Sequence, residues 1–125
     1  MARRTTGQRN YIEKLRDPRW QRRRLAVLER AGWRCEGCGT NHVNLQIHHG
    51  FYERDADPWD YPDGALFCVC DSCHERAEAV RIEVHRELGF LPPWHQHHAI
   101  ALLQELRRAL ENEHTFDWGG VERSG

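Results

Sequence analysis

Cys35-Glu36-Gly37-Cys38 and Cys70-Asp71-Ser72-Cys73-His74, with Leu45-Gln46-Ile47-His48-His49 between them, decide how this chain folds. Zinc takes four soft ligands at tetrahedral corners, and a two-residue gap lets one turn supply two thiolates to one ion. Two such clips, separated by the 31 residues between Cys38 and Cys70, complete the set. Four of the five cysteines pair in this way, and in a reducing compartment that favours metal over disulfides. The sequence therefore predicts a structural zinc on Cys35, Cys38, Cys70 and Cys73, contributing folding energy on the order of 10 kcal/mol. Cys68 has no partner at clip spacing and reads as a small buried residue.

Between the clips, Leu45 and Ile47 alternate with Gln46 and His48, which predicts a short strand over 44–49. The acidic, Pro-rich stretch 53–64 reads as a loop, and 65–69 as a second strand pairing back on the first. A helix is expected from Asp71 or Ser72, with Ala77, Val80, Val84 and Leu88 on one face and Gly89 as its stop. On the N-terminal side, Asp17-Pro18 is an N-cap followed by proline at the first helical position. Trp20, Val27, Leu28 and Ala31 recur at helical spacing behind it, so a helix is expected over about 18–31, ended by Gly32. Leu91-Pro92-Pro93 is a rigid connector. A last helix, about 94–112, carries the stripe Ala99, Leu102, Leu103, Leu106 and Leu110, expected to be core or a dimer contact. The expected fold class is α+β. Residues 1–10 form a flexible basic tail, 11–89 one domain with its leading helix, 90–114 a helix packed on it, and 115–125 a loose tail.

The net charge of −1 hides an asymmetry. Residues 1–34 hold eleven Arg/Lys against three Asp/Glu, a balance of +8, and the remainder carries −9. All but Lys14 of the basic residues are arginine, whose planar fork matches phosphate, so the arm suits a nucleic-acid backbone. Arg22, Arg23 and Arg24 are the candidate contacts on the helix, with Arg54 in the loop. Tyr52 and Trp59 are expected to pin that loop to the core. No apolar run approaches the ~20 residues of a membrane span, and the arginines at the N-terminus have no apolar stretch behind them. The expected location is cytoplasmic, with no membrane partner.

Strand, loop, strand and helix would bring His48, His49 and His74 together. Residues 33–74, with Trp33-Arg34-Cys35, Leu45-Gln46-Ile47-His48-His49, Pro58-Trp59-Asp60-Tyr61-Pro62-Asp63 and Leu66-Phe67-Cys68-Val69-Cys70-Asp71-Ser72-Cys73-His74, resemble an HNH endonuclease of the cysteine-clip type. Tyr11, Leu15, Pro18-Arg19-Trp20, Arg24, Leu28 and Gly32 resemble the helix that often precedes this module, so the likeness covers about 11–78. The resemblance implies a ββα-metal finger that hydrolyses DNA phosphodiester bonds. His48 and His74 would hold a divalent ion such as Mg, Mn, Ni or Zn, with Glu78 as a further ligand one turn after His74. His49 would be the general base, its ordinary pKa lying near neutrality. The family's middle asparagine has no counterpart near Asp63-Gly64-Ala65, and none stands between Asn44 and Asn112. Asp63 or a loop carbonyl would have to orient the base instead.

Two other readings compete. One is a non-catalytic zinc module that binds nucleic acid or a protein. The other is a subunit of a larger phage or defence assembly, docking or self-associating through Leu102, Leu106 and Leu110. The histidines outside the motif, His85, His95, His97, His98 and His114, read as surface or packing residues.

Overall fold

The computed structural model describes residues 6–112. It is α+β: a two-stranded sheet and four α-helices, in the order α1 (Thr6–Leu15), α2 (Pro18–Arg30), β1 (Leu45–His49), β2 (Leu66–Cys70), α3 (Asp71–Phe90) and α4 (His98–Glu111). Single 3-10 turns at Asp63–Ala65 and Pro93–His95 lead into β2 and towards α4. Among the described residues no helix is long and apolar enough to cross a membrane. The chain divides into two compact units, one ending at His74 and the other starting at Glu75, with the boundary inside α3.

In the first unit the Asp17 carboxylate accepts the Arg19 N–H at 2.8 Å, and Pro18 opens α2 with its φ already helical. Gly32, at φ +66°, ends the helix, and the Trp33 N–H reaches back to the Leu28 carbonyl at 3.0 Å. Trp33 also sits at positive φ, +58°, an unusual backbone for a bulky residue. These two left-handed residues turn the chain sharply into the first cysteine clip. Residues 6–10, read as part of a basic tail because Gly7 and the arginines dominate it, instead form the first half of helix α1. Tyr11, Ile12 and Leu15, at i, i+1 and i+4, were the available signal.

β1 and β2 pair antiparallel, with Ile47 opposite Cys68, His48 opposite Phe67 and His49 opposite Leu66. Successive side chains alternate between faces, so Leu45, Ile47 and His49 share one face with Cys68 and Leu66, while His48 shares the other with Phe67. The first face packs on α2. Val27, Leu28, Tyr61, Leu66 and Cys68 form a buried cluster there, joined at its edge by Ala31, Leu45, Ile47 and Ala56. Cys68 is wholly buried among them, the packing role expected for it.

In the second unit α3 runs through Gly89 to Phe90, one step past the expected stop. What ends it is Leu91-Pro92-Pro93, since a residue before proline is pushed out of the helical region. α4 starts at His98, after the 3-10 turn, rather than at 94. Neither α3 nor α4 contains a buried residue. The core role expected for Leu102, Leu103, Leu106 and Leu110 is therefore not realised among the described residues.

Candidate metal centres

The first clip is a tight turn in which the Gly39 N–H bonds the Cys35 carbonyl at 2.8 Å and the Cys35 N–H bonds the Thr40 carbonyl at 2.9 Å. The second clip is the end of β2 and the first turn of α3, where the Cys73 N–H points at Cys70 Sγ from 3.4 Å. Glu36 joins the two. Its N–H bonds the Cys68 carbonyl at 2.8 Å, and its carboxylate accepts the Cys68 N–H at 2.9 Å and the Arg30 guanidinium at 3.0 Å. Glu36 thus docks the clip on β2 like a fragment of third strand, a role that no sequence motif advertised.

The four sulfurs of Cys35, Cys38, Cys70 and Cys73 all lie within 4.8 Å of one another. Gly37 makes that spacing attainable, because a Cβ there would stand 3.0 Å from Cys73 Sγ. Burial opposes ionisation of Cys35, but hydrogen bonding from the backbone of Cys70, Cys38 and Gly37, and from the Cys73 thiol, brings its pKa down to about 6. Cys73 goes the other way, pushed up to about 12 by burial and by sharing hydrogen bonds with the neighbouring sulfurs. Four thiols at this spacing could hold a metal such as zinc.

On the opposite face of the hairpin, the His48 and His74 rings meet edge to face with centroids 5.2 Å apart. β1 supplies one and the first turn of α3 the other, and their ligand nitrogens lie within 4.8 Å. The Glu78 carboxylate, one turn further along α3, lies within the same distance of the His74 ring. Two imidazoles and a carboxylate are a donor set for a borderline or hard divalent ion.

The expected meeting of three histidines is not found: His49, next to His48 on the strand, points to the opposite face of the hairpin and away from that pair. It is 3% exposed, stacked between Trp20 at 5.2 Å and Tyr52 at 5.4 Å, with Tyr61 edge-on at 4.9 Å. Its Nε2 lies 3.2 Å from the Pro58 carbonyl. A carbonyl only accepts, so Nε2 carries the proton and Nδ1 is the lone-pair nitrogen. Burial pushes the pKa of His49 below its ordinary value, with the Pro58 hydrogen bond opposing weakly, so the ring is neutral at pH 7. A cavity of about 160 Å³, lined by His49, Tyr11, Tyr52 and Tyr61, opens beside it.

The loop carrying Pro58 is held from several sides. The Asp57 N–H bonds the Asp60 carboxylate at 3.1 Å, and the Asp60 N–H bonds the Asp57 carbonyl at 2.9 Å. Lys14 pairs with Asp57 at 2.7 Å, and the Arg19 guanidinium lies 4.1 Å above the Trp59 ring. A loop carbonyl, not Asp63, orients His49. Asp63 instead pairs with Arg23 at 2.9 Å, and the Arg23 guanidinium also donates to the Tyr61 carbonyl. Arg23 thereby ties α2 to the loop at Tyr61 and Asp63. Arg22 and Arg54 are exposed and Arg24 is half-buried. No protein-family model, curated protein or solved structure matches the chain.

Proposed function

We propose that the chain is a metal-dependent endonuclease, an HNH-type ββα-metal finger that hydrolyses DNA phosphodiester bonds. The observation that carries the reading is the meeting of His48, at the end of a strand, with His74, in the first turn of the following helix, beside a four-cysteine nest. The donors suit zinc at Cys35, Cys38, Cys70 and Cys73, and a divalent ion at His48, His74 and Glu78. An ion held by His48, His74 and Glu78 would supply Lewis-acid stabilisation to a phosphate and its leaving oxygen. His49, with Nε2–H on the Pro58 carbonyl, is the base of this reading; it lies on the hairpin face opposite the His48–His74 pair and is 3% exposed, so taking a proton from water requires the box of Trp20, Tyr52 and Tyr61 to open. Arg22, Arg24 and Arg54 hold backbone phosphates, which makes binding strongly salt-dependent and not sequence-specific.

The second reading, a zinc module that binds nucleic acid or a protein without cutting, is favoured by one observation: His49 is only 3% exposed. Plasmid nicking decides between them. The zinc-loaded chain should nick DNA in Mg²⁺, Mn²⁺, Ni²⁺ or Zn²⁺, and hold two ions, one of them removed by mild chelation. His48→Ala and His74→Ala should each abolish nicking and lose only the chelatable ion. His49→Ala should cost about 10²–10⁴-fold in rate while keeping both ions and DNA binding. A single ion per chain with no nicking establishes the module reading, and nicking that survives His49→Ala removes His49 as the base.

A further inference from the structure

We infer that the helical pair α3–α4 is a homodimerisation surface, and that its occupant is the same pair from a second copy of the chain. The inference stands apart from any nuclease activity and uses only residues from Glu75 onward. Val84, Leu88 and Leu91 on one side and Ala99, Leu102 and Leu103 on the other line an open groove of about 740 Å³ between the two helices. Neither helix buries a residue, although their apolar stripes run at helical spacing. A helix pair of this kind cannot make a core by itself, because ordering it costs conformational entropy that only burial can offset.

The exposed surface is large enough for a stable dimer. Val84 is 52% exposed, Ile100 57%, Leu102 66%, Leu103 57%, Leu106 47% and Leu110 40%, with Trp94 at 73% ahead of α4. At roughly 100 Å² of apolar surface for each such side chain, one copy offers on the order of 700 Å², close to the ~800 Å² per partner of a standard interface. The spacing of Leu102, Leu103, Leu106 and Leu110 along α4 is that of a helix that packs side by side with another. Charge selects the partner. Arg76, Arg81, Arg86, Arg107 and Arg108 are interspersed with Glu75, Glu83, Glu87 and Glu105, so the pair presents both signs. A two-fold copy can match positive to negative across such a surface, whereas a nucleic acid or a strongly charged protein meets as much repulsion as attraction. Two hairpins closing on each other's grooves form a four-helix arrangement in which both leucine stripes become core.

Sedimentation of the full zinc-loaded chain tests this. At ~50 µM it should sediment at twice the 14.8 kDa of one chain and dissociate on dilution. Leu103→Glu with Leu106→Glu should shift it to the monomer, with zinc content unchanged. Ala101→Glu, which puts the same charge on the opposite face of α4, should leave the dimer intact. A wild-type chain that stays monomeric across the whole concentration range overturns the proposal. So does a dimer that survives the double substitution, or one that Ala101→Glu disrupts equally.

Discussion

Leu66 in β2 is wholly buried, and Leu102 in α4 is 66% exposed. Leu66 sits in the wholly apolar run Leu66–Cys70, and Leu102 on an apolar stripe at helical spacing between charged residues. What separates them is closure. Up to His74 the chain has a hairpin, a helix laid on one face of it, and two cysteine clips fastened by Glu36, so apolar side chains meet from three directions. From Glu75 onward it has two helices and nothing that closes over them within the described residues. Amphipathic pattern marks the side chains fit for burial, but sheet pairing and packing from several directions decide whether a short chain buries them.

The largest effect is expected from removing the metal cross-link proposed at Cys35, Cys38, Cys70 and Cys73. Cys70→Ser, or chelation strong enough to strip the thiolate site, should cost on the order of 10 kcal/mol, more than a small domain's whole stability. The first unit should then unfold, and the near-ultraviolet signal of Trp20 and Tyr61 should collapse with loss of one equivalent of zinc. A stripped chain that keeps that signal would mean that the hydrophobic cluster suffices and the clips do not close the fold.

Leucine truncation probes the same contrast with a smaller effect. Leu66→Ala should destabilise by about 2–5 kcal/mol, because a wholly buried side chain leaves a cavity. Leu102→Ala, measured by urea unfolding in dilute solution, should change stability by no more than about 0.5 kcal/mol. Equal losses at both positions would show that α4 has a covered core after all.

Much of the first unit could be read from residues alone. The clip spacing announced the thiolate nest, strand alternation announced the hairpin, and Asp17-Pro18 with Gly32 bracketed α2 within a residue. His48 and His74 were legible because a strand end and a following helix start must be neighbours when the hairpin pairs. Three things were not legible. Glu36 acts through its backbone and one carboxylate on a strand 32 residues away, and no local pattern encodes such a contact. Arg23 looked like its neighbours in sequence, and only the position of Tyr61 and Asp63 turned it inward. The opposed faces of His48 and His49 followed from strand geometry, but the aromatic box around His49 needed Trp20 from α2 and Tyr61 from the loop.

Two glycines sharpen the contrast at about 1 kcal/mol. Gly37→Ala puts a methyl group 3.0 Å from Cys73 Sγ and should weaken zinc binding by about tenfold or more, read by competition with a chromophoric chelator. Gly89→Ala meets nothing within 4 Å and lies in a helix, so it should stabilise α3 by up to about 1 kcal/mol. Losses at both sites would mean that the second unit is as tightly packed as the first.

The smallest effect is a dependence on pH confined to the first unit. Burial lowers the pKa of His49 in the folded chain, while in the unfolded chain it titrates near ~6.5. Above that pH the ring is neutral in both states and its contribution to stability is complete. Below it the unfolded chain takes up a proton that the folded chain refuses, so stability falls with pH until the folded pKa is also passed. His49→Asn removes the titrating ring and should remove this part of the slope. Any effect of acid on the four-cysteine site is common to both proteins, so the difference between their unfolding curves at pH 7.5 and pH 5.5 isolates the ring. Parallel curves would place His49 in contact with water in the folded chain, and the box of Trp20, Tyr52 and Tyr61 would then be open rather than closed.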